Sequence, residues 1–298
     1  MFAIVGFLVV IGAIVGGYLM EHGKLMVLMQ PAELLIIGGA ATGTMLIANP
    51  ISVLIRILKA GLAPFTAATY GKDFYLDTLK MLSETFMRAR KGGMGALEAD
   101  VDEPEKSPVF SKYPKFMKNH HALHFVCDTL RMAVTGGVSY LELDQMMELD
   151  LEVHHHEVNV PVQALTTMAD SLPGLGIVAA VLGVVITMGA LGGPPEEIGH
   201  KVAAALVGTF LGILLCYGFV APLAANMTKG IDADSQYYHC LRMGIIAFVR
   251  GAAPILAVEF ARRSIPAEVR PTFKEMEGAC RGGGKAAPAT PVKGAKAA

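Results

Sequence analysis

SLPGLGIVAAVLGVVITMGALGGPP, Ser171 to Pro195, and VAAALVGTFLGILLCYGFVAPLAANMT, Val202 to Thr228, are two uncharged runs separated by a short polar turn. Each exceeds the roughly 20 apolar residues that cross a bilayer as a helix. Each also carries a proline near its inner end, Pro173 and Pro222. A membrane helix tolerates proline where neighbours or water satisfy the freed carbonyl. The pair therefore reads as the wall of a pathway, with the prolines as pivots, rather than as a plain anchor.

Two further uncharged runs lie upstream, Met1 to Met20 and Leu34 to Ile55. The first has no basic segment before it and is too long for a signal peptide, so it reads as a span. With 53% hydrophobic and only 17% charged residues, the chain reads as an all-α polytopic membrane protein with four transmembrane helices and a helical cytoplasmic domain. Among the lysines and arginines, only Lys24 and Lys201 fall in the two short loops, 21–33 and 196–201. Positive charge is retained in the cytoplasm, so both loops are expected to be periplasmic and both termini cytoplasmic. The expected order is span 1–20, loop 21–33, span 34–55, cytoplasmic helical domain 56–169, span 170–195, loop 196–201, span 202–228, a cytoplasmic helical region 229–279 and a disordered basic tail 280–298. A net charge of −1 with no basic domain excludes nucleic acid as the main partner. Cys127, Cys216, Cys240 and Cys280 lie far apart, which predicts free thiols rather than a disulfide framework or a metal site.

In the first two spans, Gly12 and Gly16, and Gly39 and Gly43, recur four apart. Small residues at that spacing predict close helix–helix contact. Asn49-Pro50 bends or ends the second span. Lys72 to Lys91 reads as a helix with Tyr75, Leu79, Leu82 and Phe86 on one side, and with Glu84 and Arg88 as an i,i+4 pair. Gly92, Gly93 and Gly95 break it beside the basic cluster Arg88, Arg90 and Lys91, ahead of the acidic stretch 98–106. That juxtaposition fits either a solvated face or an electrostatic docking surface. His120, His121 and His124 lack the general-base glutamate of a zinc-protease helix. His154, His155 and His156 are consecutive, so on a helix they point about 100° apart. Both groups are expected to be solvent-exposed or membrane-proximal. Ser139 and Glu142 form a capping box that starts a helix running toward the third span, with Pro161 as a point of kinking. Residues 231–263 are expected to form an amphipathic helix packing under the membrane. The tail after Cys280 is basic and able to touch anionic lipid.

At helical spacing, Pro173, Gly176, Ala180, Gly183 and Thr187 share one face of the third span, and Ala205, Thr209, Gly212 and Cys216 one face of the fourth, with Gly208 alongside. Both faces are small and weakly polar, suited to a partner helix and some water. No Asp, Glu, Lys, Arg or His lies inside the four runs; Glu33, Asp170 and Lys201 stand at their edges. Ion pathways normally use an intramembrane ionisable group, so a second protein is expected to donate it. A secondary transporter would need its own polar midplane site, and a metal-dependent membrane enzyme would need convergent ligands.

The opening MFAIVGFLVVIGAIVGGYLMEHG, Arg90 and Glu98, DSLPGLGIVAAVLGVV and YGFVAPLAANM together resemble the A subunit of the flagellar motor stator, the MotA family within the MotA/TolQ/ExbB proton channels. The resemblance covers nearly the whole chain. It implies a motor component rather than an enzyme, without a cofactor, in the bacterial inner membrane. It implies a ring of A subunits, five in the family, around paired helices of a MotB-like B subunit that supplies an aspartate and anchors to peptidoglycan. Pro173 and Pro222 match the family prolines at the channel and torque region. Thr209 and Ala180 match ion-path positions, and alanine at 180 resembles the proton-driven members, so the translocated ion is expected to be H+. Asp170 falls at the cytoplasmic mouth, suited to relay an exiting proton. Arg90 and Glu98 match residues that engage a FliG-like rotor switch-complex protein. The alternative is an ExbB/TolQ-like proton-driven energiser, against which the four spans weigh.

Overall fold

The structure, a computed structural model, describes residues 2–61, 70–189 and 191–281. In chain order the helices are α1 (Phe2–Met20), α2 (Leu25–Leu28), α3 (Pro31–Ala48), α4 (Ile51–Gly61), α5 (Lys72–Gly92), α6 (Glu98–Asp102), α7 (Pro114–Met117), α8 (His120–Thr135), α9 (Tyr140–Met188), α10 (Pro195–Ile213), α11 (Ala221–Val249), α12 (Pro254–Ser264) and α13 (Phe273–Cys280). Short 3-10 turns at Met94–Leu97, Pro104–Lys106 and Phe110–Lys112 link α5 to α7. No strand occurs among the described residues. Residues 282–298, most of the expected tail, lie outside them.

The chain divides into two compact units, 1–68 with 155–232, and 69–154 with 233–298. The boundaries fall within α9 and α11. Among the described residues, four helices are long and apolar enough to cross a membrane. The third and fourth of these helices extend well past their apolar runs. α9 begins at the capping box, where the Ser139 amide and hydroxyl both donate to Glu142 Oε2 at 2.8 and 2.7 Å. It then continues without interruption through Pro161 and Pro173. α10 begins at Pro195, before the apolar run, because proline suits a first helical turn whose amides are unpaired anyway. The second span starts at Pro31 for the same reason and stops at Ala48, ahead of Asn49-Pro50; α4 follows as a separate helix.

The four-apart glycines do not pair the first two spans within the chain. Gly12, Gly16, Gly39 and Gly43 have no side-chain neighbour near enough for a Cβ to meet. Instead α3 packs on α10, and α1 on the segment after α10, where Phe7 stacks on Phe219 at 5.5 Å.

The second unit has a continuous core built on α5, with Tyr75, Leu79, Leu82 and Phe86 facing inward as their spacing predicts. Phe86 stacks on Phe248 at 4.4 Å and 7°. Residues 233–264 direct Tyr237, Cys240, Leu241, Ile245, Val258 and Ala261 into this core. They form two helices rather than one, parted at Gly251, whose φ of 101° suits only glycine. The Glu84–Arg88 pair is not formed. Glu84 receives Lys112 Nζ at 2.8 Å and the Tyr113 hydroxyl at 3.0 Å, while Arg88 turns to Asp100. Partners brought by tertiary folding displace a helix-surface pair worth only a few tenths of a kcal/mol. The histidines are also not all on the surface. His121 and His154 are half-buried and stack at 3.6 Å, against Tyr238 edges at 5.0 and 5.2 Å. No group of three or more metal ligands gathers among the described residues.

Candidate functional site

The expected site divides between the two units. In the first unit, α9 and α10 meet along a seam made of residues without bulky side chains. A Cβ on Gly176 would lie 2.9 Å from the Gly208 carbonyl and 3.0 Å from Gly212 Cα. A Cβ on Gly212 would lie 2.6 Å from the Leu172 carbonyl, and one on Gly183 would collide with Ala205. The backbones thus touch over three turns, the close approach that small residues permit in a membrane.

This contact rotates the faces relative to the expectation. The buried stripe of α9 is Leu172, Gly176, Ala179 and Thr187, with Gly183 half-buried in the same line. That of α10 and its continuation is Ala205, Gly208, Gly212 and Cys216. Pro173, Ala180 and Thr209 lie beside the seam and are half-buried; Asp170 and Pro222 are exposed. The residues expected to line an ion path are therefore not consumed by contacts within the chain.

Pro222 follows a π-helical turn, Leu214–Val220. There the Ala221 amide donates to the Cys216 carbonyl five residues back. A wider turn is one way to seat a proline in a helix, since it re-pairs carbonyls that proline cannot serve, and such turns recur at functional sites. Pro222 borders a groove of about 320 Å³ against α1, lined also by Gly6, Phe7, Val10 and Tyr217.

Sequence position misjudged one residue. Glu33 was expected at the edge of the second span. Because α3 starts at Pro31, Glu33 occupies its first turn and points inward, and it is only 6% exposed. Its Oε2 has no hydrogen-bond partner among the described residues. A Cβ on Gly208 would be 2.7 Å from that oxygen, 3.2 Å from Ala179 Cβ and 3.3 Å from Ala180 N. The chain thus brings an ionisable group of its own into the helix pair. The signal available in the sequence was Pro31, which marks the helix start.

In the second unit, Arg90 in the last turn of α5 and Glu98 at the start of α6 are both exposed. What holds them outward is the link between the two helices. Gly93, at φ 79°, ends α5, and Leu97, 1% exposed, pins the following turn into the core. Two residues inward from each, Arg88 and Asp100 meet, with Nε 2.7 Å from Oδ2. The Arg88 Nε–H is directed at the Ala96 carbonyl, 3.2 Å away, so its contact with Asp100 is a charge contact rather than a hydrogen bond. Asp100, 2% exposed, accepts instead from Ser107 at 2.8 Å, and Ser107 Oγ accepts the Val109 and Phe110 amides at 3.1 and 3.2 Å. Nearby, Lys112 and Tyr113 draw the Glu84 carboxyl below its ordinary range, against the opposing effect of burial.

Residues 4–93 match the family described as motility protein A N-terminal, and residues 118–239 match the MotA/TolQ/ExbB proton channel family. The chain is 39% identical over 277 residues to motility protein A of Escherichia coli strain K12, covering 93% of this chain and 94% of that one. It is 36% identical over 272 residues to the chemotaxis protein LafT of Vibrio parahaemolyticus, covering 91% and 95%. Among solved structures it is similar to C. jejuni MotAB, with a TM-score of 0.75, 18% identity and coverage of 89% and 96%. It is also similar to the flagellar MotAB stator complex from Bacillus subtilis, with a TM-score of 0.73, 22% identity and coverage of 89% and 96%.

Proposed function

The chain belongs to the motility protein A family, and we propose on that basis how it works as a multi-pass inner-membrane subunit of the flagellar stator, forming an ion channel with a B subunit. It is not an enzyme. The match of residues 4–93 to the motility protein A N-terminal family favours this over an ExbB/TolQ-like energiser.

The observation that carries the mechanism is the seam. α9 and α10 meet through Gly176, Gly208 and Gly212, which leaves Pro173, Ala180 and Thr209 beside the contact with accessible surface. Helices of the B subunit lie against that surface and present the carboxyl that carries the ion. The coupling ion is H+, in keeping with the small apolar side chain of Ala180. Pro173 and Pro222 are the points where the helices flex as that carboxyl gains and loses its proton. Asp170, exposed at the other end of the path, receives the departing proton. The chain forms a ring of five with copies of itself, surrounded by membrane lipid. Both termini and the second unit face the cytoplasm, where exposed Arg90 and Glu98 engage a FliG-like rotor protein through opposite charges.

The test is complementation. The chain, expressed with its B subunit in a host lacking its own stator A subunit, restores swimming. The B subunit co-purifies with it from the membrane. A chain that inserts, retains the B subunit and leaves the host immotile counts against the stator assignment.

A further inference from the structure

We propose that Glu33 is a proton-binding carboxyl of this chain, set in the seam between α3, α9 and α10 so that the coupling proton occupies it between the 189–194 side of the membrane and the B subunit's carboxyl. The proposal rests on the stator reading given above.

Three observations carry it. First, the carboxyl lies inside the apolar run. Gly208, which it overlies, is six residues past Val202, about 9 Å along the helix at 1.5 Å per residue. Second, the fold makes room for it. Oε2 occupies the space left by the missing side chain of Gly208, where a Cβ would stand 2.7 Å from it. Third, it is 6% exposed and Oε2 is unpartnered among the described residues.

Among the described residues no cation is paired with it. α2, which also packs on α10, carries no titratable residue, and α9 carries none around Ala179 and Ala180. On α10, Lys201 lies seven residues before Gly208 and is paired with Glu197 at 2.8 Å. An unpaired carboxylate at this depth is unfavourable, so a mobile positive charge is bound there for part of the time. The atoms crowding the Gly208 position beside Oε2 are a methyl group and a backbone nitrogen, not the several oxygens that a hard metal cation requires. A proton fits. The N-terminal turn of α3 meanwhile favours the ionised form. Burial and the helix terminus oppose each other, and that opposition lets one group both take up and release a proton. Gly208 is followed by Thr209, and the Gly208 position that the carboxyl overlies also abuts Ala180 N, 3.3 Å from a Cβ placed there, so the group lies near the path already inferred.

The experiment uses the full chain with its B subunit in cells lacking their own stator A subunit. N,N′-dicyclohexylcarbodiimide, which adds to protonated carboxyls in apolar surroundings, is applied to membranes of the wild-type complex, and the modified peptide is identified by mass. The expected result is an adduct at Glu33 that forms more slowly as pH rises. Glu33→Gln is expected to keep the B subunit bound while swimming speed falls severalfold, with the deficit widening as external pH rises. Glu33→Asp is expected to restore part of the speed. An unmodified Glu33 overturns the proposal. So does Glu33→Gln swimming like the wild type at every pH, and so does loss of the B subunit in both variants, which would make the residue purely structural. Failure of the wild-type chain to restore swimming would instead overturn the stator reading itself, so the two failures are distinguishable.

Discussion

Pro222 removes a backbone donor from the middle of a membrane helix. The chain answers with the π-helical turn before it and the five-residue bond from Ala221 to Cys216. Alanine at 222 restores the donor and suits an uninterrupted helix, in which a proline is about 3 kcal/mol less favourable. If the wide turn flexes as proposed, Pro222→Ala should insert and accumulate like the parent chain while swimming is largely lost. Swimming at normal speed in either Pro222→Ala or Pro173→Ala would remove that proline from the mechanism. Gly212 poses the opposite problem. A methyl there meets the Leu172 carbonyl at 2.6 Å and Gly176 Cα at 2.8 Å. Both are backbone atoms that cannot swing aside. Gly212→Ala should cost about 1–3 kcal/mol through overpacking, read as a lower melting temperature of the detergent-solubilised complex. An unchanged melting temperature would mean that the seam is looser than its geometry indicates.

At the scale of elements, α13 is held by a full capping box. Thr272 and Glu275 exchange hydrogen bonds, and Lys72 reaches Glu275 at 2.7 Å. The Lys72 bond, then the Thr272 amide, bring the Glu275 carboxyl from an ordinary value near 4.5 down to about 2. A carboxyl lowered on folding stabilises the fold above its unfolded pKa and loses that contribution as pH falls toward the folded one. Glu275→Gln should therefore lower the melting temperature at pH 7 and converge with the parent as pH approaches about 2; a gap that persists in acid would refute the charge origin. Thr272→Ala should cost about 1 kcal/mol at pH 7, and because the Thr272 hydroxyl also donates to Glu275 Oε2 at 2.8 Å, part of that cost should fade as the carboxyl is protonated in acid. This box and the one at Ser139 depend on residues three apart, and the Ser139 box is readable from sequence because its partners are local. The same holds for the four apolar runs and the inward stripe of α5. Glu84 and Arg88 were misread because their partners, Lys112, Tyr113 and Asp100, arrive from elsewhere in the fold. Ala179 replaces Ala180 in the seam because a close backbone contact, rather than ideal periodicity, sets the rotation of α9. Glu33 escaped because depth along a span depends on where the helix begins, and hydropathy placed that three residues late.

At the scale of the whole molecule, two of the proposed roles involve other polypeptides. The proposed rotor contact of the exposed Arg90 and Glu98 is one. Arg90→Glu should leave insertion and B-subunit binding intact and lower the stall torque severalfold, and a reversed charge on the rotor should restore it; unchanged torque would dismiss the contact. The other is the path for the ion. From Asp170 to Ala180 is ten residues, about 15 Å along α9, and no titratable residue lies on that stretch. The backbones of α9 and α10 close against each other through Gly176 and Gly212 over the same interval. Glu33 at one end and Asp170 at the other are too far apart for a proton to pass directly between them. A group at intermediate depth has to come from another polypeptide, as ion pathways require an ionisable group within the membrane. The chain purified alone and placed in liposomes should therefore hold a pH gradient, and should dissipate it only when an active B subunit is present. Rapid proton leakage through the chain alone would mean that its own carboxyls suffice, and that the seam opens without a guest helix.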